Sequence, residues 1–216
     1  MKSTFILGFL IGLVGMLLAA YFVPWNMNPR VVSATTVAIN GGRQETFTIR
    51  LPADRIISTG GAASGMLAND PVASIAITPS LSDASIASEH FKVRNSRGEV
   101  IGVAIRHWTR NDEGAASTWT VSVPSRGSIV MSADGEAPEQ LRVALERAGY
   151  RQGIAWEGEM TISLTPDPDA SRVITGTEEF DGSTGAFSEV WSVSGVSGTG
   201  EVRGTIELNT IVNQTS

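Results

Sequence analysis

The sequence contains no cysteine and only two histidines, His90 and His107, which limits the chemistry available to it. Without cysteine there are no disulfides, no thiolate metal ligands and no cysteine nucleophile. The usual zinc sites need three or four cysteine or histidine ligands, which two histidines do not supply. We therefore expect no metal site, and nothing in the sequence indicates a cofactor.

Positive charge is also scarce, since 16 lysines and arginines face 22 acidic residues and the net charge is −6. No basic stripe is available to neutralise phosphates, so nucleic acid is not an expected partner. Attraction to anionic lipid is equally absent, and any membrane contact must be hydrophobic. With 216 residues, of which 42% are hydrophobic and 18% charged, the chain suits one ordered domain with a sizeable core.

Charge is missing altogether from Phe5 to Val23, FILGFLIGLVGMLLAAYFV. A helix of this length covers about 28 Å, close to the hydrocarbon thickness of a bilayer. Lys2 precedes it, so the amino terminus should stay in the cytoplasm. We predict a signal anchor over residues 1–23, single-pass in a bacterial inner membrane, with the lipid bilayer as its partner and the remaining chain in the periplasm.

Two further properties are predicted for this segment. Leu18-Ala19-Ala20 offers a small-residue cleavage site, and a cleaved signal peptide would leave the protein secreted. Gly8 and Gly12 form a G-x-x-x-G pair of the kind that lets two helices pack closely, which predicts a weak homodimer. Either fate of the segment puts the rest of the chain outside the cytoplasm.

Beyond a tether over residues 24–34, residues 35–216 alternate between polar and apolar side chains, as β-strands do. Asn40-Gly41-Gly42 predicts a hairpin turn, and a strand follows over Glu45–Leu51. One helix is predicted over Ala137–Gly149 from apolar residues at helical spacing. With about nine or ten predicted strands, the fold class is mainly β: an antiparallel meander forming a barrel or a sandwich, with one short α-helix.

The stretch ITGTEEFDGSTGAFSEVW, residues 174–191, predicts a hairpin with its turn at residues 181–184. In that register Glu178 lies opposite Phe187, and Gly176 lies opposite Glu189. Two carboxylates then enter an aromatic interior, where their pKa values rise and they can serve as acid and base. The alternative is a one-residue bulge that turns Glu189 to solvent. The residues predicted to share the inner face are Ile174, Glu178, Phe180, Phe187, Glu189, Trp191 and Val193.

Other candidate positions each have a structural alternative. His107 continues the predicted Ile101, Val103 and Ile105 face and is a candidate for catalysis, although a histidine there is commonly a hydrogen-bonded structural residue. Phe187 and the tryptophans are candidates for a ligand cavity or for core filling. Asp167 and Glu178 fall at calcium-loop spacing, but Arg172 stands where that loop needs glycine. The tryptophans concerned are Trp108, Trp119, Trp156 and Trp191.

The run TGTEEFDGSTGAFSE, with the following GTGEVRGTIEL, resembles the glycine-punctuated strand-turn-strand pattern of allene oxide cyclase-like small barrels, which are lipocalin-shaped. The resemblance covers about residues 174–208. It departs from the pattern at Glu178, where a glycine is usual. It implies a barrel shape, and no activity is carried over.

We therefore expect a membrane-anchored, extracytoplasmic β domain whose role is binding or scaffolding in the cell envelope. Its partner would be an apolar small molecule or an envelope protein. One alternative is a cyclase- or isomerase-like enzyme that uses Glu178 and Glu189 in an aromatic cavity. Another is a structural interaction domain whose core is filled.

Overall fold

The structure is a computed structural model that describes residues 8–9, 11–16, 18, 34–37, 43–60, 86–111, 114–134, 137–151, 153–165 and 171–214. The chain divides into two compact units, Met1–Arg30 and Val31–Ser216.

The described residues of the first unit are helical. Gly8 and Gly12 have no atom within 4 Å of the position a Cβ would take. Among the described residues, no helix combines the length and the apolar character that crossing a bilayer requires. The predicted span Phe5–Val23 lies partly outside the described residues.

The second unit is mainly β, as predicted. Its helix α1 covers Ala137–Arg147, and a short 3-10 helix covers Glu178–Phe180. Eleven strands are described in this unit. They are β1 (Ala34–Val37), β2 (Arg43–Leu51), β3 (Arg55–Gly60), β4 (Ile86–Arg94), β5 (Val100–Asn111), β6 (Gly114–Val123), β7 (Gly127–Asp134), β8 (Trp156–Ser163), β9 (Ser171–Gly176), β10 (Ser183–Val196) and β11 (Val202–Gln214).

Eight of these strands close into an antiparallel barrel, which decides between the two architectures left open by the sequence. The order is β2-β11-β10-β9-β7-β6-β5-β4, and β4 returns to β2 where Arg94 pairs with Thr48. Closure removes the free sheet edges that an open antiparallel sheet would present.

The other three strands extend the barrel sheet. β1 pairs with the start of β2, so the predicted first hairpin is confirmed, although its turn residues lie outside the described residues. β3 pairs with β4. β10 is long enough to pair with β9 near its beginning and with β8 from Val190 onward.

The core is the barrel interior, formed by inward-facing side chains from every barrel strand. Helix α1 adds Leu141 and Leu145, which lie on its apolar face and are fully buried. Trp156 donates from Nε1 to the carbonyl of Ala148 at 2.9 Å, just after α1. The largest fully buried apolar residues of the barrel are Phe47, Ile49, Phe91, Trp119, Ile129, Met131, Trp191 and Ile206.

The predicted shared face of Ile101, Val103 and Ile105 on β5 is wrong after Ile101. The β4–β5 register shifts between the Val93–Gly102 and Arg94–Val100 pairs, which is a bulge at Ile101. Ile101 is buried, but the bulge reverses the alternation, so Val103 is 43% exposed and Ala104 faces inward. Arg106 therefore enters the core, and His107 is exposed.

Candidate functional site

Two acidic and two basic side chains meet inside the otherwise apolar barrel. Glu89 on β4 pairs across the strands with Arg106 on β5, and Arg106 pairs with Trp119 on β6. Glu189 reaches the same level from β10, and Arg55 reaches it from the start of β3. Glu89, Arg106 and Glu189 have no exposed surface, and Arg55 is 8% exposed. We call these four residues the interior charge cluster.

Glu189 is held by two indoles. Trp119 donates from Nε1 to its Oε2 at 2.8 Å, and Trp191 donates from Nε1 to its Oε1 at 2.7 Å. The backbone N–H of Glu189 donates to Thr165 Oγ1 at 2.8 Å, which fixes the strand at this point. Both oxygens of this carboxylate therefore have a hydrogen-bond donor in place.

Arg106 is held by the same two indoles and by one hydroxyl. Its guanidinium carbon lies 5.4 Å from the Trp119 ring centre and 5.8 Å from that of Trp191. Its Nε donates to Ser117 Oγ at 3.2 Å. Two cation–π contacts and one hydrogen bond at Nε hold the guanidinium, and its Nη atoms face the carboxylates.

The Nη atoms of Arg106 meet carboxylates without hydrogen bonding to them. Nη2 lies 3.3 Å from Glu189 Oε1, and Nη1 lies 3.7 Å from Glu89 Oε2. Within the described ranges, neither Nη atom of Arg106 nor Oε2 of Glu89 has a hydrogen-bond partner. Buried polar atoms are nearly always hydrogen-bonded, so three unbonded atoms around one guanidinium need an explanation.

The surroundings of Glu89 in the cluster shift its pKa. Burial raises its pKa, Arg106 and Arg55 lower it, and Glu189 raises it again, so that the pKa lies above its ordinary value. Arg55 Nη2 is 3.5 Å from Glu89 Oε1, and its guanidinium carbon lies 6.0 Å from the Phe91 ring centre. Glu89 therefore holds a proton more readily than an ordinary glutamate does.

A second buried charge cluster lies around Arg126, in the turn between β6 and β7, and its central guanidinium is hydrogen-bonded to two acids. Arg126 donates from Nη1 and Nη2 to Glu45 at 2.9 and 2.5 Å, and from Nε and Nη2 to Glu179 at 3.1 and 3.0 Å. Arg43 pairs with both acids, and the Arg126 guanidinium lies 4.9 Å from the Phe180 ring centre. This cluster ties the 3-10 segment to β2 and has the contacts expected of a structural element.

The predicted meeting of Glu178 with Glu189 does not occur. β9 ends at Gly176 and pairs with β10 through Val173–Gly185 and Arg172–Ala186, so the predicted register is wrong. The 3-10 helix takes up the following residues, and Glu178 is exposed there with φ of 55°. Ile174, also predicted to face inward, is 52% exposed.

The remaining predicted residues of that face are buried. Glu189 belongs to the interior charge cluster, Trp191 donates a hydrogen bond to it, and Phe187 packs in the core. Trp119 is buried beside Glu189, whereas the side chain of Trp108 lies outside the described part of the chain. The buried set from this prediction is Phe180, Phe187, Glu189, Trp191 and Val193.

Sequence reasoning missed Glu89, Arg106 and Arg55. The predicted inner face of Ile101, Val103 and Ile105 implies that Arg106 points outward, and the bulge at Ile101 reverses that direction. Alternation with Phe91 and Val93, both fully buried, places Glu89 inside and was a usable signal. No comparable signal marks Arg55, which directly follows the turn after β2.

A metal site and a surface groove are the other features with a possible role. Across the described residues, no group of three acidic or histidine side chains could hold a metal ion. A groove of about 470 Å³ beside α1 is lined by Val143, Glu146, Arg147, Tyr150 and Arg151. Arg151 Nη1 donates to the carbonyls of Glu146 and Tyr150, and Glu146 pairs with Arg142, so the groove's charged groups serve to end the helix.

Fold and site together define a small closed antiparallel barrel with a buried, tryptophan-clamped charge cluster. No protein-family profile matches the chain, and no curated protein matches it.

Proposed function

We propose that this protein is a binding module of the cell envelope whose barrel takes a small molecule at the interior charge cluster. The observation that carries the proposal is the set of three buried polar atoms, Arg106 Nη1 and Nη2 and Glu89 Oε2, that lack hydrogen bonds within the described residues. These atoms offer two donors and one acceptor to a ligand.

Stability alone does not account for the cluster. A buried ion pair gains little over well-packed apolar residues of similar volume, because desolvation of the charges offsets their attraction. Incomplete hydrogen bonding makes the balance worse, by about 1–3 kcal/mol for each unsatisfied group. A ligand that supplies the missing bonds would account for retaining charges in an apolar core.

The supporting shell favours binding as well. Trp119 and Trp191 each use the indole N–H on Glu189 and the ring face on Arg106. Both charged groups are thus fixed before any ligand arrives, which lowers the entropy lost on binding.

Exchanging Glu189 for Gln tests this function, with Glu178→Gln as the matched control. We expect the full chain, purified in mild detergent, to retain a small molecule detectable by native mass spectrometry. Glu189→Gln weakens one indole bond and the pairing with Arg106, and should reduce retention at least tenfold. Glu178 is exposed, so its variant should retain the molecule. Equal retention by both variants, or none by the unaltered chain, contradicts the proposal.

The proposal includes the location: a single-pass anchor over Phe5–Val23 with the barrel in the periplasm, supported by nineteen consecutive uncharged residues. Mass measurement of the protein from the membrane fraction tests it. We expect the mass of a chain with an intact amino terminus. The mass of a chain that starts after Ala20 would instead indicate a cleaved signal peptide and a secreted protein.

A second candidate function is acid–base catalysis, favoured by the raised pKa of Glu89. In this alternative, Glu89 takes the role of the acid that was predicted for Glu178. Glu189 and Arg106 would stabilise the charge that develops on the substrate. Glu89→Gln should then still retain the captured molecule but no longer convert it, which chromatography of the released molecule would reveal. Identical product from both proteins would leave binding as the function.

A further inference from the structure

Both Nη atoms of Arg106 lack a hydrogen bond within the described residues, while its Nε donates to Ser117 and its guanidinium carbon lies 5.4 and 5.8 Å from the centres of two indole rings. A guanidinium pairs with carboxylate or phosphate oxygens through two parallel N–H···O bonds. Of these two groups a carboxylate carries the smaller charge into an apolar interior, so it is the ligand group that best supplies the missing bonds.

Of the two carboxylates already near Arg106, Glu89 is the exchangeable one. Glu189 is fixed by two indole donors at 2.7 and 2.8 Å. Glu89 lies 3.7 Å from Arg106 Nη1 and 3.5 Å from Arg55 Nη2, which are loose contacts for ion pairs. A ligand carboxylate can therefore take the place of Glu89 beside Arg106.

Charge balance sets the condition for this exchange. The groups that face Glu89 within the described residues are Arg55 from β3, Arg106 from β5 and Glu189 from β10, and two acids balance two bases. His90 faces the other side of β4, near Ser88. Adding an anion to a buried, neutral cluster is costly, unless one proton enters with it. Glu89 is the group that accepts this proton, and its carboxyl O–H then donates to the bound anion.

We infer that the barrel binds a small monocarboxylate with an apolar or aromatic body, which displaces Glu89 from Arg106 as Glu89 takes up one proton. This inference rests on the proposed function and specifies its ligand. The apolar body would contact Phe91, Trp119 and Trp191, whose rings surround the cluster; the Phe91 and Trp119 ring centres are 5.7 Å apart. The two unbonded Nη atoms are donors, which favours an anionic group beside Arg106.

Titration calorimetry of the full chain in detergent, with benzoate as probe and benzyl alcohol as its uncharged match, tests the inference. Benzoate should bind with uptake of one proton, measured from the dependence of the heat on the ionisation enthalpy of the buffer. Its Kd should rise about tenfold per pH unit once the pH exceeds the pKa of Glu89. Glu89→Gln should bind benzoate without proton uptake and without this pH dependence, and Arg106→Met should lose binding at least tenfold.

The outcomes separate this inference from the function on which it rests. Benzyl alcohol binding as tightly as benzoate, or benzoate binding without proton uptake by the unaltered chain, overturns the carboxylate assignment but leaves a binding module. A native protein that retains a small molecule lacking a carboxylate does the same. Failure of the chain to retain or bind any small molecule overturns both. Proton uptake is measured on the unaltered chain, so the test does not depend on the folding of either variant.

Discussion

Two arginines inside one barrel show how the same residue serves different ends. Arg126 and Arg106 are both buried, and each guanidinium lies against an aromatic ring. Among the described residues, Arg126 donates at least four hydrogen bonds, to Glu45 and Glu179, whereas Arg106 donates one, to Ser117. Arg126 ties the 3-10 helix to β2 through these bonds. Arg106 instead keeps two Nη atoms without hydrogen bonds in the described part of the chain, which a ligand could use.

The pH dependence of stability should report on Glu89. Because its folded pKa lies above the ordinary value of 4.5, the folded state holds this proton more tightly than the unfolded state does. Its contribution is therefore most favourable below pH 4.5 and is lost as the pH rises through the folded pKa. The free energy of unfolding should therefore fall as the pH rises, and part of this fall is due to Glu89. We expect Glu89→Gln to remove that part, on the order of 1 kcal/mol, in urea unfolding measured from pH 4.5 to 8.

The matched control for that experiment is Glu207→Gln, which removes an exposed carboxylate from β11. It should keep the pH profile of the unaltered protein. A Glu89→Gln profile that coincides with the unaltered one would show that Glu89 does not hold its proton more tightly in the folded state.

At the scale of the element, β10 and β11 bend where glycine lets two backbones approach. Gly204 has φ of +151°, and a Cβ there would stand 2.0 Å from the carbonyl oxygen of Ser192. The register between the two strands shifts close by, between Val193 and Gly195. Such bends let long strands curve around a barrel.

Substituting Gly204 with Ala should destabilise the domain by roughly 2–4 kcal/mol, because the clash is with backbone that cannot move aside. Gly153→Ala is the control, since its φ is also positive, +81°, but no atom lies within 4 Å of its Cβ position. That variant should lose only the conformational term of about 1–2 kcal/mol. Equal urea midpoints for the two variants would contradict a steric role for Gly204.

Strands and helices that follow from a local sequence pattern were predictable. The direction of individual side chains was not predictable where a bulge or a 3-10 helix interrupts a strand. Alternation around Phe47 and the spacing of Leu141 and Leu145 are local, so β2 and α1 were found. The bulge at Ile101 leaves the strand intact while exchanging its faces. The 3-10 helix at Glu178 likewise ends β9 early, so Glu178 reaches solvent. The inward direction of Glu189 followed from the aromatic residues that alternate with it.

At the scale of the whole molecule, closure of the barrel depends on a narrow seam between β2 and β4. The strands pair there through Thr48 and Arg94. Asp54, with no exposed surface, reinforces the seam: it accepts the Arg50 N–H at 2.8 Å and both Nε and Nη2 of Arg94 at 2.7–3.0 Å. The carbonyl of Asp54 also accepts from the N–H of Lys92. One carboxylate thus joins the two strands that complete the circle.

Asp54→Asn should weaken this closure in a pH-dependent way. Burial acts to raise the pKa of Asp54, but hydrogen bonds from Arg94 and the Arg50 N–H and the Arg94 charge outweigh it, so the pKa lies below the ordinary value of 3.8. The stabilisation is therefore present above pH 3.8 and lost as the pH falls through the folded pKa. We expect the variant to lose about 1–3 kcal/mol in urea unfolding at pH 7, with the difference shrinking below pH 3.8. Asp181→Asn, at an exposed position, should match the unaltered protein, and a constant deficit at all pH values would contradict the role of the charge.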